Sequence, residues 1–179
     1  MMSYRSDDPR AELERAPGEA LRRAFGPEPL GPVLDGLIAQ YEAVPDKLFD
    51  LALQVQMPSW HKGLVVLLGD AAWCMTLYSG MGVSLGLAGA DVLASKIQQS
   101  ANLPQALASW EAHLRPYVTH FQVEAKSGGL NLFVPQDQEA IRKRAMMFRL
   151  NRIPGVSTVL GNLSRRSPDA RMRSADLAA

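Results

Sequence analysis

Residues 64–94 read LVVLLGDAAWCMTLYSGMGVSLGLAGADVLA, and their only charged side chains are Asp70 and Asp91. An aliphatic run, Leu64–Leu68, ends in Gly69-Asp70-Ala71-Ala72, and after a loop Gly80 and Gly82 open a long apolar segment. Five consecutive aliphatics without alternation predict a strand buried on both faces, the kind found inside parallel sheets covered by helices. An acid just past the carboxyl end of such a strand stands where open α/β sheets bind ligands. Its carboxylate can accept hydrogen bonds from sugar-alcohol or ribose hydroxyls. Taken alone, Asp70 fits better the plain capping of a turn or following helix, which aspartate does very often.

The second half of the stretch is Ser79-Gly80-Met81-Gly82-Val83-Ser84. Ser79 suits a helix N-cap, and the glycines leave the first-turn amides open. The positive end of the helix dipole there favours an anionic group by about 0.3–1 kcal/mol when exposed. A tight helix–sheet contact that needs glycine for space accounts for the same residues. Gly80, Gly82 and Gly86 come close to a dinucleotide fingerprint. That fingerprint follows its strand directly, whereas here about ten residues intervene, which argues against a nicotinamide site.

Outward from this stretch, Lys47–Met57 alternates Phe49, Leu51, Leu53, Val55 and Met57 with Asp50, Ala52, Gln54 and Gln56. A period of two predicts a half-exposed antiparallel strand, ended by Pro58. Asp8–Phe25 is helical in bias, with Pro17 opening a fresh first turn and Gly26 stopping it, and Val33–Tyr41 forms a second helix. Met81–Ile97 is apolar nearly all round and reads as a core helix. Leu103–Ala125 is amphipathic and ends before Gly128-Gly129, and Gln136–Asn151 follows Pro135 as a further helix. A short helical piece runs from Pro154 to Leu160. From Ser164 onward the chain has few apolar residues and reads as a disordered tail. The fold class is thus α/β: a mostly helical fragment with one buried parallel-type strand and one antiparallel strand.

A doubly covered strand needs neighbours for its backbone groups and for both apolar faces. No second strand of that type occurs in the sequence, and no strand–helix–strand unit. The chain therefore reads as part of a larger fold, with apolar surface exposed around Leu64–Leu68.

Composition excludes several functions. The 179 residues are 47% hydrophobic and 21% charged, with 19 Lys and Arg against 18 Asp and Glu and a net charge of +1. That balance leaves no electrostatic footprint for nucleic acid or an anionic membrane. A single cysteine, Cys74, excludes an internal disulfide and a cysteine-rich metal site, and fits a reducing cytoplasm. The opening MMSYRSDDPR lacks the apolar core of a secretory signal. Residues 64–94 are long enough to span a bilayer, but five glycines, two acids and the lack of a basic flank argue against a membrane span.

Other candidates have plain readings. His113 and His120 lie two turns apart, too far to share a metal with Glu124 without further ligands. His61 falls in a turn and reads as solvated. Cys74 lacks an evident base and reads as structural. Arg142, Lys143, Arg144, Arg149 and Arg152 read as a solvated helix face.

Taken together, Gly69-Asp70-Ala71-Ala72, Ser79 to Leu85 and Gly89-Ala90-Asp91-Val92-Leu93-Ala94 resemble the second FAD-binding motif of the group A flavoprotein monooxygenases. That is the family of para-hydroxybenzoate hydroxylase and its aromatic and polyketide hydroxylase relatives. The resemblance is close over Leu64–Ile97, looser through Lys47–Met57 and Leu103–Ala125, and corresponds to the carboxyl-terminal half of a family member. It implies a para-hydroxybenzoate hydroxylase-like fold. Residues 1–57 would be the remnant of the substrate-binding domain, 58–100 the FAD motif, 101–163 the carboxyl-terminal helices and 164–179 the tail.

The resemblance also implies roles. Asp70, beside Gly69, would bind the ribitol chain of FAD. The amides of Gly80, Met81, Gly82 and Val83, with Ser84 in the same turn, would line the pyrimidine edge of the flavin, where a helix N-terminus stabilises the anionic reduced form. Leu77 stands in the loop near the flavin ring where relatives usually have proline, and Met75 and Met81 replace commoner proline and polar residues. NAD(P)H would reduce the flavin, and O2 would then hydroxylate an aromatic or polyketide-like small molecule. The GxGxxG strand–turn–helix that holds the ADP half of FAD does not occur here, nor does the motif that seals the pyrophosphate. The resemblance therefore implies a chain inactive alone, completed by a partner chain that supplies the missing half. Two other readings are a non-catalytic remnant acting as an interaction or oligomeric helical module, and an unrelated helical protein packed in a homo-oligomer.

Overall fold

The computed structural model describes residues 2–26, 29–153, 155–156, 168–175 and 177. They divide into two compact units, Met1–Ala52 and Leu53–Ala179.

The first unit contains helices α1 (Pro9–Leu13), α2 (Pro17–Phe25) and α3 (Pro32–Ala43), each with proline in its first turn, where the missing N–H costs nothing. Asp8 caps α1 by accepting the Ala11 N–H at 3.2 Å, and α2 stops at Gly26, whose φ of +111° suits glycine. Ala20, Leu21 and Ile38 are buried between α2 and α3, with Arg22 paired to Asp35 at 3.5 Å. Glu12 is buried and holds the Tyr4 hydroxyl, which donates at 3.0 Å, and the Arg23 guanidinium. Burial, and then the Glu12 hydrogen bond, push the Tyr4 phenol up to about 12.

The second unit is built on two long helices, α5 (Gly82–Gln99) and α6 (Leu103–Glu124), capped at Asn102, whose side chain accepts the Gln105 N–H. Ahead of them come strands β1 (His61–Lys62) and β2 (Val65–Val66), the single-turn helix α4 (Asp70–Trp73) and a 3-10 turn at Leu77–Ser79. After α6 a π turn at Ala125–Gly129 runs into α7 (Leu130–Phe133), followed by α8 (Gln138–Asn151) and α9 (Pro168–Arg173). Trp60, Trp73 and Trp110 centre the core, with ring centroids 4.5–5.9 Å apart. Leu85 and Val92 of α5 and Leu114, Val118 and Phe121 of α6 surround them. Trp110 Nε1 donates to the Gly89 carbonyl at 2.8 Å, and a Cβ on Gly89 would sit 3.0 Å from the Trp73 ring. Glycine is thus what lets α5 close onto the tryptophans.

Both strand expectations need correction. Within Leu64–Leu68 only Val65–Val66 pairs, antiparallel to His61–Lys62, and Leu64 and Val65 are 73% and 68% exposed. Val66, Leu67 and Leu68 pack against the core, but the other face has no cover among the described residues. The run is therefore half-covered, and its exposed aliphatics are those expected of a strand without neighbours. Lys47–Met57 forms no strand, because among the described residues none pairs with it in a ladder. Residues 54–60 instead lie extended along α6. Gln54 Nε2 donates to the Gln122 carbonyl (2.8 Å), Gln122 Nε2 to the Val55 carbonyl (2.7 Å) and the Val55 N–H to the Cys74 carbonyl (2.9 Å).

Other boundaries shift less. Helix α8, expected from Gln136, starts at Gln138 with Asp137 as its cap, and α5 buries only part of its apolar surface. Within the segment read as a tail, Pro168–Arg173 is helical, and Met172 and Leu177 pack against the core. Most of Pro154–Leu160 lies outside the described residues.

Candidate functional site

Gly69 carries φ +61° and ψ −136°, a conformation open to glycine and strained for other residues, and it turns the chain from β2 into α4. Asp70 is the first residue of α4 and is exposed. The Ala72 and Trp73 amides bond back to the Gly69 carbonyl at 3.0 and 2.9 Å, so the Asp70 side chain is not consumed in capping. It points instead to the start of α5: a Cβ added to Gly82 would lie 3.9 Å from Asp70 Oδ1. The absent side chain at Gly82 keeps this space clear.

The helix start is also open. Ser79 is buried, and its hydroxyl accepts the Met81 N–H (3.1 Å) and donates to the Thr76 carbonyl (3.1 Å). It therefore braces the turn rather than capping α5, a correction to its expected role. Gly80 occupies the left-handed region (φ +65°, ψ +9°), and Met81 is the cap residue, with no side-chain hydrogen bond at this end. The first helical bond is Leu85 N–H to Met81 carbonyl (2.9 Å), which leaves the Gly82, Val83 and Ser84 amides uncapped. A carboxylate acceptor thus faces a set of free donors at the positive end of an 18-residue helix. Thr76, in the loop between them, is among the described residues the non-glycine one held at positive φ (+66°), a strain of about 1–3 kcal/mol that the Ser79 bonds help maintain.

The other expected residues fall around this pair. Met81 is half-buried, Val83 and Ser84 are exposed, and Leu77 is exposed in the 3-10 turn with its carbonyl bonded by the Gly80 N–H (3.2 Å). No polar contact joins Leu77 to Asp70. Along another face of α5, Ser84, Ala88 and Asp91 face Phe121, Met172 and Leu177 across a cavity of about 300 Å³.

Sequence reading missed a clamp on α6. Glu111 Oε2 accepts the Ser59 hydroxyl (3.0 Å) and the Trp60 N–H (2.9 Å), while its other oxygen meets Arg115. Arg115 donates to the Met57 and Pro58 carbonyls at 3.2 and 3.1 Å and lies over the Trp60 ring. Burial alone would push the Glu111 carboxyl up, but Arg115, the Trp60 amide and Ser59 together hold it below its usual range. The signal was the placing of Glu111, Arg115 and Gln122 on one face of a helix, whose partners lie about fifty to seventy residues earlier. His61, expected in solvent, sits 3.6 Å from Glu111 on β1.

Among the described residues no group of three metal-binding side chains converges, and His113 Nε2 instead meets the Leu177 carbonyl at 3.0 Å. Among them too, no helix is long and apolar enough to cross a membrane. The basic residues of α8 are mostly exposed, with Lys143 paired to Glu139.

Comparison with known proteins finds similarity to flavin-dependent monooxygenases. The FAD-dependent monooxygenase asL6 of Sarocladium schorii is 37% identical over 98 residues, which cover 54% of this chain and 23% of that protein. The chain matches a carboxyl-terminal fragment of such enzymes. A probable 2-heptyl-3-hydroxy-4(1H)-quinolone synthase, AqdB2 of Rhodococcus erythropolis, is 33% identical over 104 residues, covering 58% of this chain and 27% of that one. Among solved structures, the tetracycline destructase Tet(55) aligns with a TM-score of 0.60 at 26% identity, over 89% of this chain and 38% of its own. Tet(51) aligns at 0.51 and 28% identity, over 78% and 36%. The chain thus spans about a quarter of the curated relatives' length. No protein-family profile matches it.

Proposed function

We propose that the chain is the flavin-binding portion of an FAD-dependent monooxygenase that uses NAD(P)H and O2 to hydroxylate an aromatic or polyketide-like small molecule. The observation that carries this reading is the Asp70 carboxylate facing the uncapped start of α5 across Gly82. The donor set suits the group: an acceptor for the ribitol hydroxyls, and free amides for the negative pyrimidine edge. Gly69 and Gly80 hold the two turns in place, Gly82 clears the space, and Met81, Val83, Ser84 and Leu77 border it. When bound, FAD supplies the oxygen-activating chemistry, and this chain's residues bind and orient it. The polypeptide would follow a para-hydroxybenzoate hydroxylase-like plan, with residues 1–57 from its substrate domain, 58–100 as flavin motif and 101–163 as supporting helices. The names of the aligned relatives, monooxygenases and tetracycline destructases, support a polycyclic or aromatic substrate.

Because the chain offers contacts to the ring and ribitol only, riboflavin should bind it about as well as FAD. Asp70→Ala should weaken both roughly 10-fold or more, the worth of a charge-assisted hydrogen bond. Flavin fluorescence quenching on titration measures this. Unquenched flavin at high protein concentration, or equal affinity in the variant, would overturn the reading in favour of a non-catalytic helical module.

A further inference from the structure

Gly128-Gly129, expected to lie past the end of a helix, is instead crossed by one. The chain stays helical through the π turn Ala125–Gly129 into α7, and Gly129 has the right-handed helical angles φ −60° and ψ −53°, which any residue adopts. Glycine is a poor helix former, so its presence at 129 calls for another cause. That cause is the approach of a second backbone. A Cβ added to Gly129 would overlap the Tyr78 carbonyl oxygen and lie 2.9 Å from the Tyr78 carbonyl carbon and 3.2 Å from its Cβ. Gly128 differs, because a Cβ there meets, outside its own turn, the end of the flexible Glu124 side chain at 3.3 Å. Tyr78 is the middle residue of the Leu77–Ser79 turn, which leads directly into the candidate flavin site. Its ring packs on Phe133 of α7 with centroids 5.7 Å apart, and α7 is fixed in turn by Arg144 of α8, which donates to the Leu132 carbonyl at 3.0 Å. Thr76, at positive φ, stands two residues before Tyr78, so the loop holds a conformation that its own sequence disfavours and its surroundings maintain.

We propose that Gly129 and Tyr78 are positioning residues for the cofactor: the π turn after α6 backs the turn at 77–82, and the missing Cβ at Gly129 sets where the Gly82–Ser84 amides stand opposite Asp70. The proposal rests on the flavin-binding reading. A methyl group at position 129 must displace the Tyr78 backbone, four residues ahead of Gly82, whereas ligand-holding groups tolerate shifts of only about 0.5 Å. Were Gly129 there only to loosen the end of α6, alanine would improve the helix and leave the cofactor site untouched.

The test compares Gly129→Ala with Gly128→Ala in the full chain, by riboflavin titration with fluorescence quenching and by amide hydrogen exchange. The exchange reporters are the Gly80 amide, bonded to the Leu77 carbonyl (3.2 Å), and the Met81 amide, bonded to the Ser79 hydroxyl (3.1 Å). Gly129→Ala should weaken riboflavin roughly 10-fold, shift the absorbance of the bound flavin and speed exchange at Gly80 and Met81 roughly 10-fold, with exchange across Leu114–Phe121 unchanged. Gly128→Ala should stay within about twofold of wild type in both measurements. Asp70→Ala should lose flavin without altering exchange at Gly80 and Met81. If Gly129→Ala does not fold, Tyr78→Ala, which adds no bulk and removes the Phe133 contact, is read in the same way. Wild-type affinity in Gly129→Ala overturns the positioning role, and so does an equal loss in Gly128→Ala. Flavin left unquenched by the wild-type chain removes the flavin reading and with it the cofactor role of Gly129, whereas faster exchange in Gly129→Ala still upholds the backing of the turn.

Discussion

Helices α5 and α6 are neighbours of similar length, and they use their sequences differently. Two sides of α6 have work within the chain, while Ala108, Ala112, Pro116, Thr119 and Val123 leave the remaining side exposed. Ala106, Leu107, Trp110, Leu114, Val118 and Phe121 are buried, and Glu111, Arg115 and Gln122 hold the extended segment 54–60. Helix α5 is the more apolar of the two, yet it buries fewer positions and leaves a stripe of Val83, Leu87, Ala90, Ala94 and Ile97 in water. Burying a Leu or Val side chain stabilises by about 1.5–3 kcal/mol, so this stripe forgoes several such contributions. The contrast teaches that apolarity and burial are separate: the less apolar helix buries more positions and the more apolar one buries fewer. It also places the candidate cofactor site on the helix that buries fewer.

The sharpest way to break the comparison is to empty the α6 side. Trp110→Ala removes a fully buried ring that touches both other tryptophans and bonds the Gly89 carbonyl. The expected cost is about 3–5 kcal/mol, read as a large fall in the denaturant midpoint. A cost below about 1 kcal/mol would mean that α5 and α6 do not share one core.

The clamp comes next. Glu111→Gln should cost about 1–3 kcal/mol, because the Arg115 charge and the Ser59 and Trp60 donors lose a carboxylate built for them. The effect should depend on pH with a definite sign. The folded carboxyl titrates below its ordinary value of 4.5, so its contribution is complete above that pH and is lost as the pH falls through the folded value. Wild type and Glu111→Gln should therefore converge in stability in acid and diverge toward neutrality. A constant difference across that range, measured by urea melts, would assign the clamp no ionic part.

What the sequence made legible was local. Pro17 and Gly26 bound α2, Asp70 and Gly80–Ser84 fell at the ends of their elements, and Leu103–Glu124 formed as one helix, because each depends on residues within a turn or two. Lys47–Met57 and Leu64–Leu68 failed as strands for the opposite reason. Alternation and aliphatic runs encode a face for a neighbour, and the described chain holds no neighbour to pair with them. The clamp and the tryptophan cluster were likewise hidden, since Gln54 meets Gln122 across 68 residues and no local period reports such a contact. The prominence of α5 was read correctly as apolarity and too readily as burial.

The smallest predicted effect sharpens the comparison most, because it makes the same deletion on both helices. Leu114→Ala on α6 empties a site with no exposure and should cost about 2–5 kcal/mol. Leu87→Ala on α5 removes the same atoms from a side chain already 70% in solvent and should change stability by no more than about 0.5 kcal/mol. Alanine's higher helix propensity should offset part even of that. Parallel urea melts of the two variants read the difference directly. A cost at Leu87 approaching that at Leu114 would show that the stripe is already covered in the chain itself, by a second copy or by its own segments. A null effect at Leu87 beside a full effect at Leu114 leaves the apolar stripe with no role in the lone chain's stability.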